Sequence, residues 1–213
     1  MKMLRTPVLC VSALLMVAAV AAAAPNKAAK AKPAADNAAK PAASAPGDAQ
    51  QQQMDAMQKM AAPGPQHAIL KSMEGHWKAT VKSWTGPGDP QVSQAECSEQ
   101  MMLGGRYLVE SVKGTFMNAP FEGQGITGYD NMQKMFVMNW IDNMGTGMMN
   151  GTGTMDDAGK TLTITGTTPG MDGKLMPYRM VTTIADANNH KVEMFSTMGD
   201  KEVKMMEIDY TRE

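Results

Sequence analysis

From Gly75 onward the chain consists of short runs in which apolar and polar side chains alternate, each closed by Gly, Asn or Asp. "HWKATVKSW" sets Trp77, Ala79 and Val81 against Lys78, Thr80 and Lys82, the two-residue period of a strand with one buried face. A run at 93–102 repeats the pattern. So do "RYLVESVKG", "FEGQGITGY", "MFVMNWID", "TGMMNGTGTM", "TLTITG", "LMPYRMVTTI", "KVEMFSTM" and "KEVKMMEIDYTRE", which makes about ten strands. The connections, among them Gly104-Gly105, "DDAGK", "DANNH" and "GD", are short turn sequences. Only 67–73, just ahead of the first strand, reads as a short helix. Evenly spaced antiparallel strands form a sandwich or a barrel. Tight hairpins throughout favour an all-β, up-and-down barrel, whose closure also removes open sheet edges. Glycines at 123, 125, 128, 147, 151 and 153 suit close strand approach and sharp coiling. An eight-stranded barrel is filled by side chains or holds one small ligand, so ten strands should leave a hollow.

Ahead of these strands the composition changes twice. Lys2 and Arg5 precede an uncharged stretch from Thr6 to Asn26 that ends in alanines offering several A-x-A cleavage sites. Residues 1–24 are therefore expected to be a signal peptide. The mature protein is expected to be exported, periplasmic or secreted, with no stable membrane insertion after cleavage. Residues 25–66 are Ala, Pro, Lys and Gln with almost no large apolar side chain, a composition expected to remain a disordered tether. Loss of the signal removes Cys10 and leaves Cys97 without an intrachain partner. Cys97 then reads as a small buried hydrophobe; a disulfide to another chain would need an exposed thiol. The barrel domain, 67–213, carries thirteen Lys plus Arg against eighteen Asp plus Glu. That balance of minus five gives no footing for a nucleic-acid partner.

"HAILKSMEGHW", "LGGRYL", "FEGQGITGYD", "WIDNMGTG" and the closing "EIDYTRE", in this order and spacing, resemble the bacterial secreted family called domain of unknown function 1579. That family is similar to the calycin barrels, which include lipocalins, fatty-acid-binding proteins and nitrobindins. The resemblance implies a calycin-like barrel with an interior ligand site, and no particular reaction. Calycins place a G-x-W on the first strand behind a short helix, with an arginine from a late strand over the indole. Gly75 and Trp77 fit the first element, and Arg212 is the candidate for the second. On the last strand Met206, Ile208, Tyr210 and Arg212 share one face while Glu207 and Asp209 share the other, so parity places Arg212 with the apolar set. A guanidinium over an indole contributes about 0.5–2 kcal/mol, depending on how dry the pair is.

Eighteen methionines in 67–213 raise the question of a soft-metal site. Met54, Met57 and Met60 have the spacing of a thioether set for Cu(I), and Met132, Met135 and Met138 repeat it. On a strand, however, a spacing of three sends Met135 to the face opposite Met138. Met as an adaptable filler of barrel walls is the simpler reading, and no metal or cofactor is assigned. His67, His76 and His190 form no paired-ligand motif, and a haem would require an interior histidine where His190 reads as part of a turn. Nucleophile elbows, P-loops and dinucleotide fingerprints are absent. Glu207 and Asp209 read as solvated surface. Whether the chain is an enzyme is left open; the polar "WIDNMGTG", with Asp142 and Asn143, is the one mouth-like cluster, and it reads equally as a turn. The leading expectation is a non-enzymatic binder of a small apolar or amphipathic molecule. Trp140, Tyr178, Met206, Tyr210 and Arg212 are its candidate lining. A small enzyme at the barrel mouth, or Met-based copper or oxidant handling, is the alternative.

Overall fold

The computed structural model describes residues 46–170 and 173–213, so the expectations for the signal peptide and for 25–45 lie outside the described residues. Two helices, α1 (Pro46–Ala61) and α2 (Pro65–Ser72), precede ten strands. These are β1 (Gly75–Ser83), β2 (Gln91–Met102), β3 (Tyr107–Phe116), β4 (Ala119–Asp130), β5 (Met135–Asp142), β6 (Met149–Met155), β7 (Thr161–Pro169), β8 (Leu175–Asp186), β9 (Asn189–Met198) and β10 (Lys201–Arg212). Each strand pairs antiparallel with its neighbour in sequence, and β1 pairs with β10 to close the barrel. The up-and-down barrel read from the alternation is the fold of this protein.

The helix α1 departs from the sequence reading, which left 46–61 within an unstructured tether. Its residues from 47 on are exposed, and in this Ala- and Gln-rich stretch the only large apolar residues are Met54, Met57 and Met60, a stripe too short to mark a core-facing helix. Residues with good helix propensity suffice to form it, and Asn131 Nδ2 bonds the carbonyls of Met60 and Ala62 at 2.7 and 2.9 Å where it ends.

One parity faces inward on every strand. Trp77, Ala79 and Val81 of β1 face inward with Ala95, Cys97 and Glu99 of β2, and so do Phe136, Met138 and Trp140 of β5. On β5 the opposite parity faces outward, with Met135 and Val137 half-buried and Ile141 exposed on the outer wall. Met132 is exposed in the β4–β5 turn and Met138 is buried inside, so the repeated thioether spacing does not converge. At β6 and β7 the strands approach so closely that a Cβ at Gly153 would overlap the Thr163 carbonyl. Outside, Glu207 and Asp209 are not free in solvent but pair with Lys82 and Lys191, and Glu207 also with Lys204. Those lysines hold the Glu207 carboxyl down at about 2.

The β3–β4 hairpin turns on Met117 and Asn118, both at positive φ (50° and 64°). Asn tolerates that left-handed conformation and Met does not. Met117→Asn should therefore stabilise the protein by about 0.5–1 kcal/mol, read as a higher urea midpoint at unchanged slope.

Candidate functional site

One end of the barrel is closed by α2 and the chain ends that meet there. Leu70 of α2 is driven into the barrel among Leu108, Phe136, Met138, Leu162 and Ile164. His67 Nδ1 accepts from the Gly64 amide at 3.0 Å, which caps the helix. From α2 the chain must turn sharply into β1, and Gly75 does so at φ 150°. A Cβ there would collide with the Arg212 guanidinium. Trp77 follows, its indole Nε1 donating to the Met73 carbonyl at 2.9 Å, with the Arg212 guanidinium carbon 4.0 Å from the ring centre. Arg212 donates to the carbonyls of Ala187, Glu74 and Ser72, so its whole fork is spent on closing this end.

Above this closure lies a cavity of about 650 Å³, running to the opposite end of the barrel at Phe116, Phe121, Asp142 and Pro169. Its wall is mostly apolar, with Leu108, Val112, Phe121, Met138, Trp140 and Ile208 among the larger side chains. Of the five proposed lining residues, Trp140, Met206 and Tyr210 are in this wall; Tyr178 and Arg212 are not. Tyr178 is only 3 % exposed because its hydroxyl end occupies the space that the missing side chains of Gly151 and Gly166 leave, and the residue packs into the Leu70 cluster. Arg212 lies behind Trp77 instead of in front of it.

The chemistry of the cavity sits just above the closed end, in residues that sequence reasoning did not single out. Glu99 of β2 and Glu110 of β3 are direct cross-strand partners, both facing inward. Glu110 Oε1 accepts from the Tyr210 hydroxyl at 2.9 Å and from the Cys97 thiol at 3.4 Å. Glu99 is 6 % exposed; its Oε1 lies 3.8 Å from His190 Nε2, and its Oε2 has no partner. His190, read as a turn residue, is the second residue of β9 and is 4 % exposed. Its ring stacks on Tyr210 at 4.2 Å and meets Trp77 edge-on at 4.4 Å.

Two carboxylates directly opposed in a dry place cannot both stay ionised. Burial, followed by the charge of Glu110, pushes the Glu99 carboxyl up to about 9. Burial also raises Glu110, against the pull of the Tyr210 and Cys97 donors. His190 is pushed down to about 4 by burial and then by the Arg212 charge, so it is neutral near pH 7. The pair therefore keeps a proton at neutral pH, with Glu99 as its natural holder because Glu110 already receives two donors. Cys97, Glu99 and Glu110 offer donor atoms within 4.8 Å of one another, the geometry of a partial metal shell. Coordination would require the Cys97 thiol to lose its proton, which burial and both neighbouring carboxylates oppose. The thiol is buried, so the disulfide to another chain falls.

Asp142 lies at the far end of the cavity, but both its oxygens are engaged. One accepts from Trp140 Nε1 and the other from the Met144 amide, each at 2.9 Å, and neither donor is basic. The turn reading of "WIDNMGTG" accounts for it. Met54, Met57 and Met60 lie on α1 with their side chains exposed.

The family described as "Protein of unknown function (DUF1579)" matches residues 62–212. Among curated proteins none matches the chain. Among solved structures, Rv2717c from M. tuberculosis is similar over 71 % of this chain and 99 % of its own, at 13 % identity and a TM-score of 0.54, a likeness of fold. The S-type phycobiliprotein lyase CPES from Guillardia theta aligns over 71 % of this chain and 98 % of its own, at 8 % identity and a TM-score of 0.49.

Proposed function

This chain belongs to the DUF1579 family, and we propose that its barrel is a binding protein that takes one small amphipathic molecule into the cavity. The observation that carries this is the hollow itself, about 650 Å³ with an apolar wall and two carboxyl groups at its closed end. Small-molecule sites are of this size and kind, largely preformed and apolar with a few convergent polar groups. The apolar body of the ligand lies along Leu108, Val112, Phe121 and Trp140, and its polar end reaches Glu99 and Glu110. Adaptable Met138, Met180, Met194 and Met206 fit the wall to ligand shape. We place this binder outside the cytoplasm, on the strength of the basic start and apolar run within residues 1–24. Intact mass of protein recovered from the producing cell would show the loss of about those residues.

Native mass spectrometry of the protein purified from its own cells, followed by titration of the emptied protein with an apolar fluorophore, tests the reading. The expected result is a co-purified small molecule in 1:1 ratio, and saturable fluorophore binding that quenches Trp140. Val81→Phe, which narrows the hollow, should weaken fluorophore binding by tenfold or more at the expense of about 1–3 kcal/mol of stability. No adduct together with no saturable binding would overturn the proposal.

A further inference from the structure

The cavity wall is mostly apolar, and its polar groups are acidic apart from the neutral His190 and a few hydroxyls. Glu99, Glu110 and Asp142 contribute to its wall, and no Lys or Arg does among the described residues. Arg212, whose charge is nearest to Glu99, is turned to backbone carbonyls behind Trp77. Glu99 is part of this wall, and its Oε2 is buried without a hydrogen-bond partner. Glu110 carries its charge directly opposite the protonated Glu99, held by the Tyr210 and Cys97 donors and with no cation in the wall beside it.

Resting on the binding reading above, we propose that the ligand's polar end is an amine, seated as an ammonium between Glu99 and Glu110. An amine has a chemical advantage here over every other head group. It can pass the apolar wall as the uncharged base and take the proton from Glu99. The Glu99 O–H bond breaks as the new N–H bond forms, so an ion pair appears in place with no charge carried through the wall. In water an alkylamine holds a proton as lysine does, to about pH 10.4, so it offers the Glu99 proton a strong base, which an alcohol does not. The new ammonium then gives N–H donors to Glu99 Oε2 and to Glu110, the strong charge-assisted kind. An alcohol can bond Glu99 Oε2 but brings no positive charge to the Glu110 carboxylate. A fatty-acid carboxylate would add a second negative charge to the closed end.

The test is a calorimetric titration of the emptied full chain at pH 7.5 with n-octylamine, n-octanol and octanoate, repeated on Glu99→Gln and Glu110→Gln. The proposal predicts that octylamine binds at least tenfold more tightly than octanol, that octanoate binds weakest, and that on either variant octylamine and octanol bind with equal affinity. Because Glu99→Gln puts a neutral amide of the same shape where a protonated carboxyl group stood, this variant folds at least as stably as the parent. Equal affinity for the three, or an amine preference that survives Glu99→Gln, overturns the amine assignment and leaves the binding reading intact. Failure of all three to bind, with the fluorophore also excluded, overturns both.

Discussion

Replacing Trp77 with alanine is expected to cost about 3–5 kcal/mol of folding stability, seen as a large drop in the urea midpoint followed by circular dichroism. Trp77 is 2 % exposed and joins four parts of the chain: α2 through Met73, β10 through Arg212, β9 through His190, and β1, its own strand. Its removal opens a void that the rigid strands cannot collapse into, and it leaves the Arg212 guanidinium without its aromatic support. Arg212→Lys separates the two contributions. Lysine keeps the charge but cannot reach the carbonyls of Ala187, Glu74 and Ser72 together, so a loss of about 2 kcal/mol is expected. A loss below about 1 kcal/mol for Trp77→Ala would show that the barrel closes without this contact.

Stability should also fall steeply with rising pH above neutrality. Unfolding returns Glu99 from about 9 to the ordinary 4.5, so between those values the folded chain binds more protons than the unfolded one. Across that window the Glu99 contribution declines as pH rises, by up to about 1.4 kcal/mol per unit. His190 acts in the opposite sense over a different range. Its folded value near 4 lies below the ordinary 6.5, so stability is lost as pH falls through that interval. The two slopes oppose between 4.5 and 6.5, which leaves a plateau there, a decline from 6.5 to 9, and an acid decline below 4.5. Exposed carboxyls held down by their donors, such as Asp130 and Asp186, add to the acid decline. Glu110 on β3 shares the pair's one retained proton, while Cys97 on β2 and Tyr210 on β10, both raised from ordinary values of 9.0 and 10.0, extend the decline only above pH 9. Glu99→Gln should flatten the arm between 6.5 and 9 and raise the melting temperature most at pH 9. A parent profile without a slope there, or an unchanged slope in the variant, would refute the account of the pair.

The barrel was legible because its signal is period two repeated ten times, and one residue of slip would have turned every inward set outward. Parity alone places Trp77, Ala79 and Val81, and likewise Met206, Ile208 and Tyr210, on one face of their strands. The same parity put Glu110 with Leu108 and Val112 in "RYLVESVKG", and Glu99 with Cys97 and Ala95. A glutamate on the apolar side of a strand was the available signal. What concealed the site was pairing: Glu99 and Glu110 meet only through the register across Gly104-Gly105, and sequence spacing does not announce that. His190 was hidden by its neighbours, because "DANNH" carries turn residues up to the strand's second position. Tyr178 was misplaced for the opposite reason. Its inward parity was right, but the glycines across β6 and β7 let the ring sink into the wall.

Difference infrared spectroscopy of the parent against Glu99→Gln at pH 7 addresses the buried pair most directly. If Glu99 waits as a neutral acid for a cation, the difference shows the carbonyl stretch of a protonated carboxyl group, and saturating n-octylamine converts it to carboxylate bands. A parent spectrum with only carboxylate at pH 7 would mean that the pair is already ionised, and the counter-charge that the cavity is argued to lack would then lie elsewhere in the protein.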